Sequence, residues 1–189
     1  MNRIEQLDPL TETGPVKPLF EAVNSKLGLV PNLFRVLGNS PAALNGYLKF
    51  SAALTDGAFN AKLREEIALA VAETNQCGYC LSAHTFIGGK VGLTEEEISD
   101  ARNAKASNRQ NAAILHLART ITVQRGELTD ADVDQARSAG LTDSDIVETV
   151  ANVALNIFTN YINQAARTTV DFPEVKPGNT PVDTTCVCA

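Results

Sequence analysis

The chain of 189 residues lacks a long apolar run, a cluster of Lys or Arg, and an apolar signal core. Its longest unbroken hydrophobic stretch, Ile67 to Ala72, falls far short of the roughly 20 residues that cross a bilayer as a helix, so no membrane partner is expected. The opening Met1-Asn2-Arg3-Ile4-Glu5-Gln6 has no apolar core of the signal type, which predicts a cytoplasmic protein not exported by a classical route. Sixteen Lys and Arg stand against 22 Asp and Glu, a formal net charge of −6. Nucleic-acid affinity is built largely from clustered cationic contacts, so nucleic acid is excluded as a partner. Histidine is scarce, with two residues, and cysteine nearly so, with four. Four cysteines are too few for a disulfide-built scaffold in a chain long enough to bury a core. Their placement as two close pairs, Cys77/Cys80 and Cys186/Cys188, points to redox or metal chemistry instead.

What is present is helical periodicity. Gly and Pro fall between long stretches that repeat at helical spacing, with almost no period-2 alternation and no confident strand, so the chain reads as all-α, a single-domain bundle of short helical hairpins. A first helix covers Lys17 to Leu27 and stops at Gly28; Pro31 and Pro41 each suit a first helical position, with Ser40 as cap of the second. Asn60 caps a helix over Ala61 to Thr74, Asn75-Gln76 is a tight turn, and a new helix starts around Cys77 and ends by Gly92. Thr94 with Glu97 forms a capping box, Ser107 with Gln110 opens a helix to about Gln124, Thr129 opens one that stops at Gly140, and Thr142 opens the last, to about Arg167. The segments starting Leu93-Thr94, Leu128-Thr129 and Leu141-Thr142 repeat one acidic pattern, which suits any helix N-terminus as well as it suits a duplication. The domain boundaries expected are an N-terminal segment over 1–14, a helical domain over 15–173, and a disordered or draped tail over 174–189, where Pro, Gly, Thr and Val replace periodicity.

Chemistry concentrates between Glu65 and His84. Cys77 and Cys80 are three apart and His84 follows Cys80 by four, so all three share one helical face, and His84 is placed to reach the Cys80 sulfur directly or through a water. In the first helical turn, free backbone N–H groups and the positive end of the dipole favour a thiolate. A Cys-x-x-Cys there can also close into a disulfide and be reduced again. On the preceding helix, Glu65 sits among Ala61, Ala68, Leu69 and Ala72 and is expected to face the core, whereas Glu66 shares a face with Lys62 and Glu73 and is expected on a solvated stripe with an i, i+4 ion pair. Folding back at Asn75-Gln76 lets Glu65 meet His84, making Glu65, His84 and Cys80 a proton relay. The alternatives are inert buried thiols, or zinc held by Cys77, Cys80, His84 and Glu65; structural zinc sites, however, draw ligands from two separated knuckles. Which cysteine attacks is open on residue logic, since the first of such a pair often does; proximity to His84 favours Cys80.

The pattern Glu65, eleven residues, Cys77-Gly78-Tyr79-Cys80, three residues, His84 resembles the signature of the carboxymuconolactone decarboxylase family in its alkylhydroperoxidase D-like branch of thiol peroxidases. Val30-Pro31-Asn32, Ser40-Pro41 and Asp171-Phe172-Pro173 resemble a longer, peroxidase-related subgroup, extending the likeness over about residues 15 to 173. The resemblance implies an all-helical fold assembled as trimers or hexamers, with no cofactor. It also implies roles: Cys80 oxidised to sulfenic acid by a small-molecule peroxide, Cys77 as disulfide partner and proton donor, His84 and Glu65 as the relay. A dithiol reductant, a protein or a lipoyl- or thioredoxin-like donor, would restore the pair. The characterised peroxidases carry a His immediately before the second Cys, where this chain has Tyr79, a possible accessory residue. The decarboxylases of the family lack the cysteine pair.

Three features lie outside that cluster. His116, flanked by apolar residues, is expected to be a satisfied core or interface imidazole. Asn152, Asn156, Asn160 and Asn163 line one face of the apolar last helix, either as a solvated stripe or as amides bonding across a subunit interface in a homo-oligomer; a monomer by light scattering would defeat the second. Cys186-Val187-Cys188 is either a second dithiol that shuttles electrons to Cys77 or an incidental tail pair.

Overall fold

The structure, a computed structural model, describes residues 2–178; Cys186 and Cys188 lie outside the described residues. The described chain is all-helical: after a 3-10 turn at Gly14–Val16 come α1 (Lys17–Leu27), α2 (Asn32–Leu37), α3 (Pro41–Thr55), α4 (Ala61–Thr74), α5 (Gly78–Lys90), α6 (Glu95–Arg102), α7 (Arg109–Gln124), α8 (Asp130–Ser138) and α9 (Asp143–Ala166). Most boundaries follow from local capping chemistry. Gly28 ends α1 with φ of 78°, Ser40 accepts from Ala43 N, and Asn60 accepts from Leu63 N. Thr94/Glu97, Thr129/Asp132 and Thr142/Asp145 all form reciprocal capping boxes. One expected start is corrected: Asn108, not Ser107, caps α7, because its carboxamide oxygen accepts from both Gln110 N and Asn111 N.

α4 is the axis of the bundle, with α5, α6, α7 and α9 packed around it. Ile67, Ala68, Leu69, Ala70, Val71 and Ala72 are buried in consecutive positions, none more than 2 % exposed. From Leu63 onward α4 has no exposed residue, and this overturns the expectation for Glu66, which is buried along with Glu73. Lys62 pairs across to Glu97 of α6 at 3.8 Å, and Glu66 meets only the Asn111 carboxamide at 3.4 Å. Burial, followed by the nearby Glu97 charge, pushes the Glu66 carboxyl above its ordinary range.

Both ends of the described segment are tied to this bundle. Arg3 N donates to Ala166 O, and Arg35 Nε donates to Leu7 O, each at 2.7 Å. Residues 174–178, assigned from composition to the tail, lie across α4, α5 and α6: Val175 N donates to Ser82 Oγ (2.9 Å), Gly178 N to Glu73 Oε1 (2.6 Å), and Arg102 Nη2 to Lys176 O (2.9 Å). Among the described residues no helix is long and apolar enough to cross a membrane.

Candidate functional site

The α4–α5 hairpin brings the sequence-predicted cluster together. Cys77 is the N-cap of α5; its sulfur accepts from Cys80 N at 3.4 Å, so the two thiols sit where the helix end leaves N–H groups unpaired. Both cysteines are free and buried, with their sulfurs 2.7 Å apart. Opposite, Glu65 Oε2 lies 2.7 Å from His84 Nδ1. A carboxylate only accepts, so Nδ1–H is the donor, and Nε2 is left to take a proton. The Glu65 and His84 side chains are 17 % and 20 % exposed, so this pair is partly wet where the thiols are dry.

The electrostatics separate the two sulfurs. Cys77 is held below the ordinary thiol range first by the hydrogen bond from Cys80, against burial, and then by Cys80 N–H and the imidazole of His84. Cys80 is pushed well above it by burial and by its neighbour Cys77. For His84, burial opposes the charged ring, but the charge and hydrogen bond of Glu65 outweigh it and raise the pKa. Through its charge His84 favours the Cys77 thiolate.

The α9 asparagines are a second correction. Asn152, Asn156, Asn160 and Asn163 are all buried within the chain, facing neither solvent nor another subunit, because α9 turns its amide face toward α4 and α5. Asn163 Nδ2 donates to Cys80 Sγ at 3.3 Å, and Asn160 Oδ1 accepts from Asn75 Nδ2 at 2.9 Å. Both amides lower the Cys80 pKa against its burial. α9 leaves several large apolar residues exposed, among them Val147, Val150, Phe158 and Tyr161. Tyr47 of α3 also belongs here: burial, then the charges of Glu65 and Cys80, push its phenol up to about 12, keeping it a proton donor at any ordinary pH. The only sequence signal for the amides was an asparagine face on an apolar helix; Tyr47 had none.

Tyr79 points elsewhere. Its hydroxyl accepts from Leu33 N at 3.1 Å, near the start of α2, and its ring meets Phe172 edge-on at 5.9 Å. The Asp171 carboxylate, which accepts from Asn32 N at 2.8 Å, is close enough to reinforce the burial that raises the phenol. Tyr79 thus clamps α5, α2 and the C-terminal segment, outside the Glu65–His84–dithiol line. His116 is exposed, not a core imidazole, in a shallow cleft with Asp132 and Gln135 between α7 and α8. Among the described residues no three or more His, Cys, Asp or Glu side chains are grouped to hold a metal ion.

Comparison with known proteins places this geometry. Residues 41–123, which carry Glu65, Cys77, Cys80 and His84, match the sequence profile of the carboxymuconolactone decarboxylase family. Uncharacterized protein 4 in the cox locus of Paracoccus denitrificans is 34 % identical over 68 residues, covering 36 % of this chain and 61 % of the relative, less than two thirds of its length. The alkylhydroperoxidase AhpD core of an uncharacterized peroxidase-related protein from Ralstonia eutropha JMP134 superposes with a TM-score of 0.77 at 24 % identity, covering 90 % of this chain and 92 % of that one. A debrominase crystallised as a Cys-to-Ala variant with 2,3,4-tribromopyrrole superposes with a TM-score of 0.75 at 18 % identity, covering 90 % and 94 %. The chain has the AhpD-type all-helical fold, and its residues 41–123 match the model of the carboxymuconolactone decarboxylase family.

Proposed function

We propose that the chain is a thiol-dependent peroxidase working through a Cys77/Cys80 dithiol–disulfide cycle. What carries this is the 2.7 Å separation of two free sulfurs at the α5 N-terminus, with the Glu65–His84 pair beside them. The proton leaving Cys80 crosses to Cys77 and passes to His84, whose charged form Glu65 stabilises. The Cys80 thiolate, steadied by the Asn163 amide, attacks the terminal oxygen of a hydroperoxide. The S–O bond forms as O–O breaks, and the relayed proton leaves with the alcohol or water. Cys77 then condenses with the sulfenic acid, releasing water and closing the disulfide, and an external dithiol returns two electrons and two protons. Because His84 couples to Cys77, the relay runs Glu65, His84, Cys77, Cys80, and its far end is the reacting end. A second reading, direct attack by Cys77, has the lower pKa of that thiol in its favour. The exposed apolar residues of α9 supply a surface for the homo-oligomer that the family resemblance implies.

Mapping the sulfenic acid separates the two readings. After peroxide treatment Cys77→Ser is expected to carry it on Cys80; its appearance on Cys77 in Cys80→Ser, and nowhere in Cys77→Ser, assigns the attack to Cys77. Absence from both variants removes the peroxidase reading.

A further inference from the structure

Two polar atoms beside the dithiol have no partner. Asn160 Nδ2 and Asn163 Oδ1 make no hydrogen bond among the described residues, although Asn160 is 0 % and Asn163 4 % exposed. An unmet buried group of this kind is costly, so a pair of them flanking one reactive sulfur marks a place where a ligand completes the bonding. Their orientation is set by their neighbours. Asn75 Nδ2 occupies Asn160 Oδ1, which turns the Asn160 amide hydrogens away from Asn75 and toward Cys80, whose thiolate that amide favours. Asn163 uses Nδ2 on the Cys80 sulfur, leaving its carbonyl oxygen open. The result is one donor and one acceptor, a helical turn apart on α9, beside the same sulfur. A hydroperoxide has the matching pair, an O–H donor and a neighbouring oxygen acceptor, whereas a thiol or a thioether has no oxygen to offer.

We propose that Asn160 and Asn163 form the subsite that binds the hydroperoxide group, Asn163 Oδ1 accepting its O–H and Asn160 Nδ2 donating to the oxygen that bears the organic group. This rests on the dithiol peroxidase reading above. When the Cys80 thiolate takes the terminal oxygen, the electron pair of the broken O–O bond stays on the other oxygen. The Asn160 N–H holds that alkoxide until the proton that left Cys80 returns through His84 to make the alcohol. Cys80–SH and ROOH thus become Cys80–SOH and ROH, with sulfur oxidised by two electrons and the peroxide reduced by two.

The test compares two reactions of the same dithiol in the full-length chain: oxidation by tert-butyl hydroperoxide, which needs the subsite, and alkylation by iodoacetamide, which has no developing oxyanion. Asn160→Ala is expected to slow oxidation about a hundredfold, the usual loss for one oxyanion donor, while alkylation changes by less than about fivefold, in line with a modest shift in thiolate fraction. Asn160→Asp keeps the side-chain volume and the bond from Asn75 but has no N–H, so it is expected to lose at least as much and guards against a folding defect in the Ala variant. Either folded variant keeping the wild-type oxidation rate, or oxidation and alkylation falling in step, overturns the subsite. If the wild-type dithiol itself ignores the peroxide, the peroxidase reading is what has failed, and the subsite falls with it.

Discussion

α4 carries two carboxylates eight residues apart, each bound to a cation at 2.7 Å, yet the two pairs are built for different ends. Glu73 meets Arg102 of α6 and also accepts from Gly178 N, so it joins α4, α6 and the C-terminal strap through a guanidinium that keeps its proton at every accessible pH. Glu65 meets His84, whose charge can come and go, and whose other side acts on Cys77. A fixed cation makes a fastener, and a titratable one makes a proton store. On the dithiol peroxidase reading, the partner, more than the carboxylate, decides which pair holds the fold and which serves the chemistry.

The largest expected effect comes from breaking the titratable pair. In Glu65→Gln the amide oxygen still accepts from His84 Nδ1–H, but without the carboxylate charge the imidazole loses what raises its pKa. Peroxide turnover is expected to fall about a hundredfold, the lower range for a lost general acid–base contribution. NMR titration should place His84 below its wild-type pKa, with little change in Tm. An unchanged His84 titration would detach Glu65 from the relay. Breaking the fixed pair should do the opposite. Arg102→Ala leaves Glu73 buried without its cation, a loss of about 3 kcal/mol, or roughly 6–12 °C in Tm for a chain of this size. The rate per folded molecule should stay near wild type; a selective rate loss at unchanged Tm would mean that the fastener belongs to the chemistry.

A third carboxylate sharpens the contrast by having no close cation. Glu66 is buried against Asn111 and its folded pKa is raised, so ionising it destabilises the fold. The sign follows from linkage: below the unfolded pKa both states hold the proton and nothing is lost, and stability declines as pH rises through the folded value. Glu66→Gln is therefore expected to raise Tm by about 2 °C near pH 8, equivalent to roughly 1 kcal/mol or less, and to match wild type below pH about 4. A constant difference across that range would assign the effect to shape and not to charge.

Much of this was legible in the sequence because it is local. Capping boxes at Thr94, Thr129 and Thr142 and the cap at Asn60 need only residues within one turn, and the spacing from Glu65 to His84 was enough to bring those two together across the hairpin. The Ser107 cap failed where two adjacent residues both had capping chemistry, and Asn108 reached two N–H groups at once. Failures of another kind came from helices whose surroundings are tertiary. Placing Glu66 in solvent assumes a helix with one buried face, and α4 has no exposed residue beyond Lys62. The asparagines of α9 read as outward-facing, to solvent or to another subunit, yet the helix buries all four, with Asn163 on Cys80 and Asn160 on Asn75, and leaves Val147, Val150, Phe158 and Tyr161 outside. Tyr47 reaches the site from α3, and no spacing in the sequence links it to Cys80.

The most direct test of the central claim is peroxide consumption by the full-length chain with dihydrolipoamide as the dithiol donor, read beside a Cys77→Ser/Cys80→Ser double variant. The dithiol cycle predicts oxidation of two thiols per peroxide in the absence of donor, sustained turnover in its presence, and neither in the double variant. Peroxide loss no faster in the wild type than in the double variant, with Cys77 and Cys80 still free afterwards, would contradict it.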